Sequence, residues 1–165
     1  MQDLTTINFQ KYPPCDELAH CVQAFWIAKN SENTDSLPYK ILSDCGASLI
    51  FNFAGCFTLE RCGEVINPIE RSVIIGPGKD LLKMTFNGPV AAMGIHFLPM
   101  GGHLFFKKDM NELANRFIND AVNTFDDSSQ FSASGYDQLK FLMVNNQPQE
   151  LIQSLQTEML TRLKE

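Results

Sequence analysis

The chain has 165 residues, 44% of them hydrophobic and 19% charged, a composition typical of a folded domain and unlike that of a disordered segment. The net charge is −6 and Lys and Arg are not clustered, so the sequence offers no surface for binding the phosphates of nucleic acid. No apolar run reaches the roughly 20 residues that span a bilayer. No export signal opens the sequence, and its five cysteines form no CxxC pair. We therefore expect reduced thiols in a cytoplasmic protein.

The first predicted element lies in the segment "PPCDELAHCVQAFW". Two prolines force an extended entry, and Leu18, Cys21 and Val22 recur at helical spacing. The segment predicts one or two helical turns that lead into a strand through Trp26. The polar segment 30–38 has no periodicity and is predicted to be a loop.

Short apolar runs separated by turn residues follow. Their spacing predicts an antiparallel sandwich or barrel. Asn87-Gly88 is the strongest hairpin signal, because both central positions of a type I′ turn need a positive φ, and Arg61 to Glu64 form a second candidate. The predicted strands are 39–42, 47–53, 57–61, 64–66, 73–75, 81–86 and 90–97.

The sequence pattern changes after Pro99, where short segments with helical periodicity alternate with polar segments. Two helices are predicted at the end of the chain, over 135–145 and from Pro148 to the last residue. The second carries an apolar stripe made of Leu151, Ile152, Leu155, Met159 and Leu163. The stripe is explained either by core packing or by a dimer interface through Leu151, Leu155, Met159 and Leu163. The predicted organisation is a β-rich body over 1–125, a loop over 126–134 and terminal helices over 135–165.

No set of residues in the sequence indicates catalysis. A metal site needs three or four converging ligands, whereas His96 and His103 are separated by a break in structure and His20 lies far from both. A core or rim histidine is the favoured interpretation of His96. The "GPGK" segment at 76–79 lacks the spacing of a phosphate-binding loop. We predict no catalytic residue, no metal and no cofactor.

Two polar residues interrupt apolar strands. Asn52 lies between Phe51 and Phe53, and His96 lies between Ile95 and Phe97. Because side chains alternate along a strand, each polar group points away from its apolar neighbours. The polar face of these strands either meets water or lines a ligand-binding interior, and the pattern alone does not decide between the two.

Four segments, in this order, resemble the amino-terminal domain of a group of AraC-type bacterial transcription regulators. They are "KYPPCDELAHCVQAFWIA", "ILSDCGASLIFNFAG", "SVIIGPGKD" and "MGIHFLPMGGHLFF". The resemblance covers about residues 9 to 118. The positions that match the pattern of the family are Tyr12, Pro14, Leu18, Val22, Trp26, Leu42, Asp44, Leu49, Ile50, Phe51, Asn52, Gly76, Gly94, Ile95, Phe97, Pro99 and Gly101.

The sequence also departs from that pattern. Ser43 replaces the usual Pro, Cys45-Gly46 stands where the family has Gly-Cys, and His96 and Leu98 occupy positions that often carry Arg. Any role that those arginines have in the family is therefore not carried over. Pro99 and the glycines after it match a strand-to-helix junction.

The resemblance implies an α+β, mostly β fold: a cupin-like antiparallel barrel or sandwich followed by helices. It implies an effector-sensing, homodimerising domain that acts on DNA only through a carboxy-terminal helix-turn-helix domain, which we expect to be absent from these 165 residues. Trp26, Asp44, Asn52, His96 and Phe97 are the candidate ligand-binding residues. Two alternatives stay open: a small metal-dependent cupin enzyme, using His96 or His103, and a stand-alone small-molecule-binding protein.

Overall fold

The structure is a computed structural model that describes residues 7–35, 39–41, 46–106, 109–125, 129 and 131–164. The strands are β1 (Asn8–Tyr12), β2 (Val22–Asp35), β3 (Tyr39–Ile41), β4 (Ser48–Arg61), β5 (Glu64–Ile69), β6 (Ser72–Ile75), β7 (Leu82–Phe97) and β8 (Phe117–Asn119). The α-helices are α1 (His103–Phe106), α2 (Met110–Leu113), α3 (Ala133–Val144) and α4 (Pro148–Leu163), and short 3₁₀ helices span Asp16–Leu18 and Ala121–Thr124.

The described strands form one antiparallel sheet in the order β1-β2-β7-β4-β6-β8, with β3 added to β7 and β5 added to β4. The two long strands β4 and β7 pair with each other along most of their length, from Ser48 opposite His96 to Glu60 opposite Lys83. The predicted fold class, mostly antiparallel β-structure followed by carboxy-terminal helices, is confirmed.

The prediction of a hairpin at Asn87-Gly88 is wrong, because strand β7 continues through these residues without interruption. Gly88 has a φ of 83° and Gly55 on β4 a φ of 61°, and the β4–β7 register shifts beside Gly55. A glycine in the left-handed region serves a β-bulge as well as a turn. The sheet bends at these positions, so each pair of predicted strands is one long, kinked strand.

The second hairpin prediction is confirmed. Arg61 pairs with Glu64, and Cys62 and Gly63 between them both have positive φ, of 53° and 79°, as a type I′ turn requires. The loop predicted over 30–38 is partly wrong, since β2 continues to Asp35 by pairing with β7. That pairing joins residues distant in sequence, so local composition did not reveal it.

The two faces of the sheet carry different cores. Leu49, Phe51 and Phe53 of β4 lie in the larger core, which the sheet shares with all four α-helices. Ile50, one residue along, lies in a smaller core on the opposite face. The sheet curls around this smaller core. Gly76 follows β6 next to the start of β4, and its carbonyl accepts a hydrogen bond from the side chain of Arg61, the last residue of β4. The two ends of β4 are thus brought close together.

The apolar stripe of α4 packs inside the chain. Leu151, Leu155 and Met159 are fully buried in the larger core, and Leu163 packs partly buried against it. Core packing within one chain therefore accounts for the burial of these three residues, and the dimer interface through this stripe stays a prediction. Helix α3 begins at Ala133 rather than at 135, with the Ser132 hydroxyl accepting a bond from the Gly135 amide. The residues 126–128 and 130 of the predicted loop lie outside the described part of the chain.

Candidate functional site: a cavity inside the curled sheet

A cavity of about 440 Å³ lies on the inner side of the sheet, beside the smaller core. This volume is within the range of small-molecule sites. Apolar and aromatic side chains supply much of its wall, and a few polar and charged groups join them. The residues that line it are Phe9, Lys11, Gln23, Ala24, Trp26, Lys40, Gly46, Ser48, Ile50, Arg61, Ile75, Gly76, Asp80, Leu82, Met84 and His96.

Trp26 is placed in the cavity by a cross-strand pair with Gly94. A Cβ atom at Gly94 would lie 2.1 to 2.4 Å from three atoms of the indole ring, so the ring rests directly on the bare backbone of β7. Phe9 on β1 packs against the same indole, with ring centroids 5.9 Å apart. The glycine in "MGIHF" is therefore needed for this close approach, and the indole is held as part of the cavity wall.

His96 lies across β7 from the start of β4. Its Nδ1 atom is 2.8 Å from the Ser48 hydroxyl, within hydrogen-bonding distance, and both residues line the cavity. The half-buried imidazole is thus oriented toward the start of β4 by the Ser48 hydroxyl. The polar side of this strand therefore lines the cavity at His96.

Arg61 is a buried cation at the cavity, with a side chain only 5% exposed. Its guanidinium donates to the carbonyls of Gly76 and Arg116, over 2.9 and 3.4 Å, and stacks 4.8 Å from the centroid of Phe117. Burial lowers the pKa of Arg61, and the nearby Cys62, Glu64 and Asp80 only partly oppose this effect. Glycine at 78 leaves the space that the guanidinium occupies, because a Cβ there would lie 2.8 Å from Nη1.

Asn52 serves the fold instead of the cavity. Its side-chain amide is buried and donates to the carbonyls of Gly55 and Ile69, over 2.9 and 3.1 Å, while its backbone amide donates to Arg71. These bonds tie β4 to the connection between β5 and β6. The prediction that Asn52 contacts a ligand is not supported by its position, since Asn52 does not line the cavity.

The remaining predicted site residues are dispersed. Phe97 is fully buried in the larger core, with its ring centroid 5.4 Å from that of Phe105, and it does not line the cavity. Asp44 lies outside the described residues. His103 is exposed at the start of α1, whereas His96 lines the cavity. Among the residues with described positions, no three His, Cys, Asp or Glu side chains are grouped as metal ligands.

The sequence matches the DUF6597 domain family, described as a domain of unknown function, over residues 10–119. The chain belongs to the DUF6597 family. The matched range contains β2 to β8 in full, β1 from Gln10 onward, and every residue lining the cavity except Phe9. None of the curated proteins compared with the sequence matches it.

Solved structures similar to this DUF6597 chain include the AraC-like transcriptional activator CuxR. It aligns with 97% of this chain and 62% of its own, at 8% sequence identity and a TM-score of 0.44. The cupin_2 domain of an XRE family transcriptional regulator from Enterobacter cloacae covers 58% of this chain and 99% of that one, at 12% identity and a TM-score of 0.43. The plu4264 protein of Photorhabdus luminescens covers 59% and 79%, also at 12% and 0.43. These values describe a likeness of fold alone.

Several cavity residues of the DUF6597 chain were missed from the sequence. Arg61, Lys11 and Lys40 look like ordinary solvent-facing charges in their strands, and Ser48 looks like a strand residue. The alternation along β4 was a usable signal for Arg61, which follows Phe57 and Leu59 on the inner face. Within the described part of this chain, no helix is long and apolar enough to cross a membrane.

Proposed function

We propose that this chain is the effector-sensing and dimerising domain of a cytoplasmic AraC-type transcription regulator. The observation that carries the proposal is the cavity, whose walls are strands that bear the terminal helices on their other face. The ordered sequence segments that resemble such regulators lie on the same strands. A small molecule in the cavity would be the effector, and a DNA-binding domain would receive the signal.

The sheet gives a short mechanical path from cavity to helices. On β2, Trp26 faces the cavity while Phe25 and Ile27 pack into the core under the helices. On β4, Ile50 faces the cavity and Leu49 and Phe51 face that core. A ligand that displaces the inner side chains therefore acts on strands whose outer side chains share one core with α3 and α4.

Polar contacts fix the helices to β2 and to the connection between β1 and β2. The Cys15 amide donates to Oε1 of Gln156 on α4 over 2.6 Å, and the Lys29 ammonium on β2 donates to Oδ1 of Asn146 over 3.0 Å, in the turn between α3 and α4. These contacts hold the helices in one arrangement relative to β1 and β2. A ligand that binds one arrangement of strands more tightly than another would shift the population of helix positions, and that shift is the regulatory signal.

Retention of the effector is tested by native mass spectrometry of the chain, purified without metal affinity. We expect a homodimer mass with a non-covalently bound organic molecule. Ala24→Leu, which adds three carbons to a residue lining the cavity, should lower the bound fraction. Ala19→Leu is the matched control, since Ala19 is exposed outside the cavity. A monomer with one metal ion per chain would contradict the proposal and favour the cupin enzyme.

Regulation is tested in the host bacterium. Deletion of the gene should change the transcript levels of a defined set of genes. Ala24→Leu introduced into the intact gene should remove the response of those transcripts to the effector while the protein level stays unchanged. A deletion strain with an unaltered transcriptome would contradict the regulatory proposal and leave a stand-alone binding protein.

A further inference from the structure

The cavity is cationic in an acidic protein. The chain carries a net charge of −6, yet its cavity is lined by Arg61, Lys11 and Lys40 against one described carboxylate, Asp80. We propose that the ligand is an organic carboxylate with a flat apolar body, bound by Arg61 through the carboxylate and by Trp26 through the body. The assignment rests on the proposed function, since it names the chemical class of the effector.

Arg61 supplies the first argument. A buried cation is costly unless an anion or a full set of hydrogen bonds compensates it. The guanidinium has five N–H donors, and its hydrogen bonds run to two neutral carbonyls. In the part of the chain that the structure describes, no carboxylate forms an ion pair with Arg61. A ligand carboxylate is the group that a planar guanidinium binds most strongly, through two parallel hydrogen bonds.

Asp80 does not fill this role. Asp80 acts chiefly on the Cys62 thiol, in the turn that follows Arg61, and raises the pKa of that thiol. The electrostatic effect of Asp80 on Arg61 is smaller than that of burial. The carboxylate thus compensates the guanidinium only partly, and the cavity keeps an excess of positive charge.

The apolar walls supply the second argument. Ile50, Ile75, Leu82 and Met84 line the cavity together with the indole of Trp26, and a hydrophilic ligand such as a sugar phosphate would leave its hydroxyl groups facing these side chains without partners. An aromatic ring stacks on an indole and tolerates aliphatic neighbours. The volume of about 440 Å³ is enough for a ring with small substituents.

The two lysines supply the third argument. Lys11 and Lys40 are exposed where they line the cavity, so each adds a solvated positive charge and not a dry ion pair. Such charges raise the local concentration of an anion and its rate of association. Their contribution to affinity is expected to be small and sensitive to salt.

The test uses the single tryptophan of the chain, which is Trp26, as a fluorescent reporter inside the cavity. The probes are phenylacetate, its uncharged counterpart phenylacetamide, and phenyl phosphate. We expect phenylacetate to quench or shift the Trp26 emission with an affinity about tenfold or more above that of phenylacetamide, because a charge-assisted pair is worth roughly 1.5–3 kcal/mol. Phenyl phosphate should bind more weakly than phenylacetate.

Two variants assign the effect to residues. Arg61→Gln should remove the preference for phenylacetate and leave the affinity for phenylacetamide unchanged. Arg61 also donates hydrogen bonds to two backbone carbonyls, so its replacement removes structural contacts together with the charge. Lys40→Gln is therefore the second variant. It should weaken phenylacetate binding roughly two- to fivefold at low salt, while Lys140→Gln, which removes an exposed charge from α3 away from the cavity, should have no effect.

Equal affinities for phenylacetate and phenylacetamide would overturn the assignment, as would tighter binding of phenyl phosphate or failure of all three probes to affect Trp26. If the native mass spectrum shows a retained neutral organic molecule, these binding results overturn the assignment of a carboxylate ligand and leave the proposed sensing function standing. If it shows no retained molecule, the proposed function fails with it.

Discussion

Gly94 and Trp26 show how one residue can be explained only by its neighbour across the sheet. Nothing in "MGIHF" identifies the glycine as the floor beneath an aromatic ring, because Trp26 is 68 positions away in the sequence. The prediction that Asn52 and His96 point away from their apolar neighbours is correct, since the two-residue period of a strand is a local property of the sequence. Which face is interior depends on how the whole sheet curls, and the local pattern does not contain that information.

Gly94→Ala is expected to alter the cavity directly. The new Cβ would lie 2.1 Å from the nearest indole atom, so the ring must move, at a cost of roughly 1–3 kcal/mol for a small-to-large change at a packed position. Urea unfolding should show this loss, and the Trp26 emission should shift before unfolding begins. Gly63→Asn is the control, because a Cβ at Gly63 meets no atom within 4 Å and Asn tolerates a left-handed backbone. Unchanged emission in Gly94→Ala would contradict the close contact.

At the scale of elements, the carboxy-terminal helix was predicted well and the long strands poorly. Pro148 begins α4 as expected, because the apolar stripe and the proline are local signals. The break predicted between strands 47–53 and 57–61 and the hairpin predicted at Asn87-Gly88 are instead bulges that bend β4 and β7. A positive φ is required in both structures, so the choice is made by the strand pairing on either side. The cavity walls depend on that pairing.

Leu155 tests whether the α4 stripe is core or interface. The residue is fully buried within one chain, so Leu155→Ala should lower the free energy of unfolding by about 2–5 kcal/mol through lost burial and a cavity. Gln153→Ala, exposed on the same helix, should change it by less than about 0.5 kcal/mol. The measurement is urea unfolding at two protein concentrations. If Leu155→Ala leaves the stability unchanged and only lowers the dimer mass in a native spectrum, the stripe is an interface after all.

At the scale of the whole molecule, one sheet separates two interiors. On one face of the sheet, the larger core fixes the helices. On the other face, the cavity lies next to the smaller core. The resemblance to regulator domains correctly implied a mostly β body followed by helices. It did not locate the charged end of the cavity, because Arg61 reaches Gly76 only through the bend of β4 and the curl of the sheet.

Tyr136 connects the terminal helices to the sheet, since it lies on α3 and its hydroxyl donates to the backbone carbonyl of Asn52 on β4. Its ring also stacks on Phe53, with centroids 5.4 Å apart. Burial raises the pKa of Tyr136, Arg71 opposes this and Asp137 adds to it. The folded state therefore holds the phenolic proton more tightly than the unfolded chain, in which the pKa is about 10.

The sign of the pH dependence follows from that difference. The contribution of the phenol to stability is fully present below about pH 10 and is lost as the pH rises through the raised pKa of the folded protein. Tyr136→Phe should cost about 1 kcal/mol at pH 7 through the lost hydrogen bond, and it should flatten the decline of stability above pH 10. Tyr12→Phe, which removes an exposed bond to Gln10, is the control at pH 7, with an expected change below about 0.5 kcal/mol. Urea unfolding from pH 7 to pH 11 measures both effects. An identical alkaline decline in Tyr136→Phe and the unmodified chain would mean that helix α3 and the sheet separate before the phenol ionises.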